Sequence, residues 1–179
     1  PADLVRDARR QDARVVVSVP GGIGNIGPGL DVLGCAVAGL RDEVTAEWSD
    51  AAGITLLDTG DFYGAGHNEL LLREALTGRT REDVVISVKY GALRGPDGSW
   101  IGVDTRPAAT KNFLAYTLRR LGTDHVDIYR PARLDPAVPI EETVGALAEL
   151  VEAGYVRHIG LSEVGADTIR RAAATRPIC

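Results

Sequence analysis

Four short runs of β-branched and apolar residues, at 54–57, 84–88, 126–129 and 158–161, recur about thirty residues apart, with amphipathic stretches between them. The stretch 70–76 ends at Gly78. The stretch 107–121 opens on Pro107 and is followed by Gly122, the residues expected just inside a helix start and just past its end. The stretch 139–153 has Glu141 and Glu142 in its first turn and Gly154 behind it, and 166–174 predicts a last helix. Four strand-helix units in series predict an α/β fold with parallel strands and right-handed crossovers. At 179 residues the chain falls short of the ~250 of a complete (β/α)₈ barrel. An open four-stranded parallel sheet has two exposed edges and an apolar face that needs cover, so this pattern alone leaves closure undecided.

Composition removes several functional classes. No apolar run approaches the ~18 residues of a membrane span, and no charged-apolar-small pattern marks a secretory signal. Cys35 and Cys179 are too few for a disulfide framework, and no Cys/His cluster has zinc spacing. With 20 basic and 25 acidic residues the net charge is −5, whereas a nucleic-acid surface needs a basic stripe. The expectation is a cytoplasmic, metal-free protein acting on a small molecule, without nucleic acid or membrane partners. The absence of methionine predicts a processed, truncated or constructed chain.

The chain changes character near residues 48–52, which predicts one segment over 1–49 and a second over 50–179. The first has a polar start, an apolar run at 15–19, a glycine-rich stretch at 21–29 and weak alternation at 44–48. In the second, polar residues collect after the expected strands. Asp58 follows the first, Lys89 the second, residues 130–133 the third and Ser162-Glu163 the fourth, with Tyr63 five residues beyond Asp58. In parallel α/β folds that end of the sheet is where chemistry sits. An ammonium beside a phenol stabilises the phenolate, so the phenol yields its proton more readily, and a carboxylate keeps the ammonium charged and in place. A tyrosine so placed, next to a hydride donor, makes a carbonyl-reduction site. The plainer alternative is a helix-capping Asp with a surface Lys and Tyr.

The motifs GITLLDTGDFYG (53–64), GHNELLLREAL (66–76), VVISVKYG (84–91), LRRLGTDHVDIY (118–129) and PIEETVGALAELVEAGYVRHIGLSE (139–163) resemble the aldo-keto reductases over residues 51–178. The resemblance implies a partial (β/α) barrel of about four parallel βα units, corresponding to strands two to five of eight. It implies NADP(H) as cofactor and an aldehyde or ketone as the small-molecule carbonyl substrate. By motif position it places the family's Asp, Tyr and Lys on Asp58, Tyr63 and Lys89, and its nicotinamide contacts on Ser162 and Glu163. Two departures stand out. Ala132 occupies the position of the family's active-site His, and Glu163 that of an Asn, whose amide can donate where a carboxylate cannot. The loops that hold the rest of the cofactor have no counterpart, so impaired activity is expected. The rival expectation is a non-catalytic scaffold that self-associates through its open sheet edges.

The glycine-rich segment matches Gly-x-Gly-x-x-Gly at Gly22, Gly24 and Gly27, but Pro20 and Pro28 bracket it and no acidic residue follows at dinucleotide-site distance. Residues 14–48 resemble instead the start of homoserine kinase, of the GHMP kinase family, through NIGPGLDVLG (25–34). That resemblance implies Asn25 and Asp31 as substrate-facing residues, although the family's later phosphate-binding loop has no counterpart. The chain thus looks like a chimera of fragments, its first segment supplying a strand pair that covers the sheet edge. Residues 91–104, with GPDG and Trp100, are long for a βα loop and predict either a hairpin over the site or a surface insertion. His67, His125 and His158 are expected to be structural.

Overall fold

The computed structural model describes residues 55–179 and, ahead of them, three strands: β1 (Val15–Pro20), β2 (Gly34–Val37) and β3 (Arg41–Ala46). The chain divides into two compact units, Pro1–Leu56 and Leu57–Cys179. In the first, the strands form an antiparallel sheet in the order β1-β3-β2, with Val17 opposite Val44 and Cys35 opposite Val44 from the other side. The sequence pattern foresees β1 and part of β3. It misses β2, because Gly-Cys-Ala-Val offers no alternation to recognise.

From the boundary onward the chain forms β4 (Thr55–Gly60), which runs into the second unit, then α1 (His67–Ala75), β5 (Val84–Tyr90), β6 (Ala92–Arg94), β7 (Trp100–Val103), α2 (Pro107–Leu121), β8 (Val126–Pro131), α3 (Ile140–Glu152), β9 (Val156–Ile159) and α4 (Ala166–Thr175). The main sheet runs β4-β5-β8-β9, in sequence order. The β5/β8 and β8/β9 ladders are parallel, with Lys89 opposite Arg130 and Ile128 opposite His158. One helix follows each strand of this sheet, as the periodic pattern predicts. The fold is α/β, in the form of a partial (β/α) barrel.

Alternation along β5 sends Val84, Ile86, Val88 and Tyr90 to the helices and leaves Val85 and Lys89 half-buried on the other face. The helix-facing set packs with Leu114, Tyr129, Val144 and Leu147, all essentially buried. Each such side chain contributes ~1.5–3 kcal/mol of transfer free energy. Tyr90 and Tyr129 stack at 4.3 Å between ring centroids, which locks β5 to β8 just below the polar end of the sheet.

Helix α2 starts with Pro107 and stops at Gly122, whose φ of 70° supplies the left-handed residue that releases the chain toward β8. A Cβ there would lie 2.9 Å from Nε of Arg73. Gly122→Ala is expected to lower unfolding free energy by ~1–2 kcal/mol, read as a lower urea midpoint at unchanged slope.

Residues 91–104 form the hairpin β6–β7, with Ala92 opposite Val103. Arg94 of this hairpin lies over the rings of Phe62 (5.9 Å) and Trp100 (5.4 Å), so its first strand reaches the loop that follows β4.

Candidate active site

Asp58 lies near the end of β4 and Lys89 near the end of β5, on the same half-buried face of the sheet. Tyr63 opens a short turn, Tyr63–Gly66, that leads into α1, and its ring meets Phe62 edge-on at 4.8 Å. These elements bring the three side chains together. The Lys89 ammonium donates to the Tyr63 hydroxyl oxygen at 3.1 Å and stands 3.3 Å from Oδ2 of Asp58. The Lys89 and Asp58 side chains are 21% and 24% exposed, open enough for a small molecule to reach. An oxygen that receives a hydrogen bond from an ammonium is prepared to hold negative charge, and therefore to give up its proton to an acceptor on its open side.

Arg130 completes this constellation. It lies opposite Lys89 in the β5/β8 register, and its guanidinium reaches Oδ1 of Asp58 at 2.6 Å and donates to the Ser87 hydroxyl. Asp58 thus holds two cations, one on each oxygen, and Arg130 takes the shorter contact. The three charged groups sum to one positive charge beside the phenol, which favours any negative charge developing there. The sequence reading puts residues 130–133 after the third strand and does not count Arg130 among the site residues. The signal was available in alternation: Ile128 and Arg130 share a face, and a parallel partner sets Arg130 beside Lys89.

The other expected residues fare differently. Ala132 is buried, and its amide donates to the Tyr90 carbonyl at 2.8 Å, so this position supports β5 and brings no polar group to the site. Glu163 adopts a left-handed φ of 51° and pairs with Arg133 at 3.1 Å. The Ser162 side chain is half-buried. Asn25 and Asp31 lie outside the described residues. Among the described residues no cluster of His, Cys, Asp or Glu is arranged to hold a metal ion, and no helix is long and apolar enough to cross a membrane.

A second polar group lies buried at the base of the turn that bears Tyr63. Asp61 is 8% exposed and Glu69 of α1 is fully buried. Glu69 Oε2 accepts from Nε of Arg120 on α2, Glu69 Oε1 has no hydrogen-bond partner, and the Asp61 carboxyl oxygens meet no donor in good geometry, with only the Gly91 and Phe62 amides acting on them from beside. Burial, assisted by the charge of Glu69, pushes the Asp61 carboxyl up to about 7, against the pull of the Gly91 and Phe62 amides and Arg120. Sequence reasoning missed all three residues. Glu69 sits three residues before buried Leu72, so the helical period places it on the inward face.

Residues 48–179 match the aldo/keto reductase family. The chain belongs to that family. A Glycine max protein named Probable aldo-keto reductase 1 is 46% identical over 134 residues, covering 74% of this chain and 38% of the relative. Aldo-keto reductase yakc [NADP(+)] of Schizosaccharomyces pombe is 40% identical over 128 residues, covering 70% and 37%. Among solved structures, aldo-keto reductase AKR11C1 from Bacillus halodurans, in its holo form, superposes with a TM-score of 0.61 at 34% identity, covering 69% of this chain and 41% of that one. An aldo-keto reductase from Klebsiella pneumoniae in complex with NADPH gives 0.56 at 29% identity, covering 69% and 40%. This aldo/keto reductase chain therefore spans under two fifths of the length of those two curated relatives. The family match begins at residue 48, so the resemblance of 14–48 to homoserine kinase, and with it the chimera, rests on the sequence alone.

Proposed function

We propose that this chain carries the acid side of a carbonyl-reduction site, acting on a small aldehyde or ketone with NADPH as hydride donor. The observation that carries the reading is Lys89, bridging the Tyr63 hydroxyl and the Asp58 carboxylate at 3.1 and 3.3 Å. Tyr63 gives its proton to the carbonyl oxygen. Lys89 stabilises the phenolate left behind, and Asp58 holds Lys89 in reach. Arg130 steadies Asp58 from its other oxygen and adds positive charge beside the reacting oxygen. The NADP(H)-bound state of a structural relative and the cofactor named for the yeast one support the choice of cofactor. The donor set fits the reacting end of that cofactor in part. The Ser162 hydroxyl has no protein partner among the described residues and is free to meet a carboxamide, while the Glu163 carboxylate is engaged by Arg133. When bound, the cofactor supplies the hydride.

The test is a fluorescence titration of NADPH into the purified chain, with Lys89→Ala beside it. Saturable micromolar binding, weakened in the variant, is the expected result; no binding at millimolar protein overturns the proposal. Binding that strengthens with protein concentration marks a site completed by a second copy. The edge positions of β4 and β9 in the sheet favour this second reading.

A further inference from the structure

We infer that Arg94 of the β6–β7 hairpin selects the substrate: held over the rings of Phe62 and Trp100, its guanidinium takes a carboxylate carried by the carbonyl compound, so the site prefers an aldehyde acid or keto acid to a neutral counterpart. The inference rests on the proposed carbonyl site and names the class of substrate which that site takes. Its geometry begins at Gly60, the last residue of β4, which alternation puts on the same face of the strand as Asp58. A Cβ at Gly60 would lie 3.1 Å from Phe62 Cε1 and 3.4 Å from Tyr63 Cδ1, so both rings fold back over that face. Phe62 therefore stands beside the phenol, its ring in edge contact with that of Tyr63.

The hairpin brings the cation to these rings through an irregularity in its ladder. Leu93 pairs with Gly102 and Arg94 with Trp100, so Ile101 is the extra residue of a bulge. Regular pairing would set Arg94 opposite Ile101. The bulge sets it opposite Trp100 instead, with the guanidinium carbon 5.4 Å from the Trp100 ring centroid and 5.9 Å from that of Phe62. The carboxylates of this segment are turned elsewhere: Asp97 accepts from the Ser99 amide within the hairpin turn, and Asp104 pairs with Arg106. Arg120, Arg130 and Arg133 each meet a carboxylate, whereas Arg94 has neither a hydrogen bond nor an ion pair among the described residues. A guanidinium lying on aromatic faces keeps its N–H donors at its edge, in the fork that a carboxylate matches with two parallel bonds. Contact with two rings also restricts its rotamers in advance, which lowers the entropy lost on binding. The neighbouring charges do not oppose such a ligand, since Lys89, Arg130 and Asp58 together leave one positive charge.

The test compares 4-formylbenzoate with its methyl ester, two aldehydes on the same ring that differ by one charge. Binding to the purified chain, followed by ligand-observed NMR with and without NADP+, is expected to be about tenfold tighter for the acid, the scale of one charge-assisted hydrogen-bond pair. Arg94 is exposed, so Arg94→Gln is expected to fold, and it should bind the acid no better than the ester. Trp100→Leu leaves the guanidinium with one ring and should lose part of the preference. Added salt should shrink the preference in the parent and leave the ester's affinity in place. In steady-state reduction the loss in Arg94→Gln should lie in KM for the acid rather than in kcat, because the carboxylate is held alike in ground and transition states. No preference for the acid in either the presence or the absence of NADP+, or a preference that survives Arg94→Gln, overturns the inference; reduction of the ester in that case leaves the carbonyl reading standing. A preference carried by Arg94 with neither aldehyde reduced counts against the carbonyl reading and keeps Arg94 as the carboxylate contact, so the two proposals fail separately.

Discussion

Tyr63→Phe is expected to lower NADPH-dependent carbonyl reduction by ~10²–10⁴-fold, the range that a positioned proton donor contributes. The substitution removes one oxygen and nothing else. The ring keeps its edge contact with Phe62, and Lys89 keeps its ion pair with Asp58. The lost hydrogen bond is half-exposed, so folding stability should change by no more than ~1 kcal/mol. The defect should therefore lie in kcat, with KM for an aromatic aldehyde nearly unchanged, because the proton moves in the transition state and binds little in the ground state. Steady-state loss of NADPH absorbance measures both constants. A variant that retained kcat would remove Tyr63 from the mechanism and leave the Lys89-Asp58-Arg130 group as an anion-binding cluster.

The part of this site that was legible in the sequence is the part that lies along single strands. Asp58 and Lys89 end two runs of β-branched residues, and their common position relative to those runs is enough to put them at one end of a parallel sheet. Tyr63 follows from its motif. Arg130 was harder, because it became a partner of Asp58 only through the strand order β4-β5-β8 and the register that sets it beside Lys89. Local spacing does not encode which strands are neighbours across a crossover. The buried Asp61-Glu69-Arg120 group was hidden for a related reason. Its members come from a loop and two helices separated by about fifty residues, and each alone is an ordinary charged residue in a helical or loop context. Ala132 stands, on the sequence motif, where the family has its His, and its burial and its amide bond to Tyr90 emerge only from the packing of β8 against β5.

The largest effect on stability is expected at Arg120, a residue that never touches Asp58, Lys89 or Tyr63 in the described contacts. Arg120→Met keeps most of the side-chain volume and the apolar stem that packs over Gly66, and deletes only the guanidinium. Glu69 is fully buried and loses the guanidinium that its Oε2 accepts from, while Asp61 loses the favourable charge of Arg120. Breaking a buried pair from one side leaves an uncompensated charge, at a cost of ~3–5 kcal/mol. Against the ~5–15 kcal/mol that holds a domain folded, that is enough to shift the urea midpoint far to the left. The size of the loss should depend on Glu69 rather than on packing, and a double-mutant cycle separates the two. In a Glu69→Gln background the buried carboxylate is already gone, so adding Arg120→Met should cost well under half of what it costs in the parent. Equal costs in the two backgrounds would mean that Arg120 acts through its stem, as a lid over the Tyr63–Gly66 turn, and that its charge contributes little. A large coupling instead makes the guanidinium the partner that lets the Glu69 carboxyl stay fully buried on the helix that follows the Tyr63–Gly66 turn.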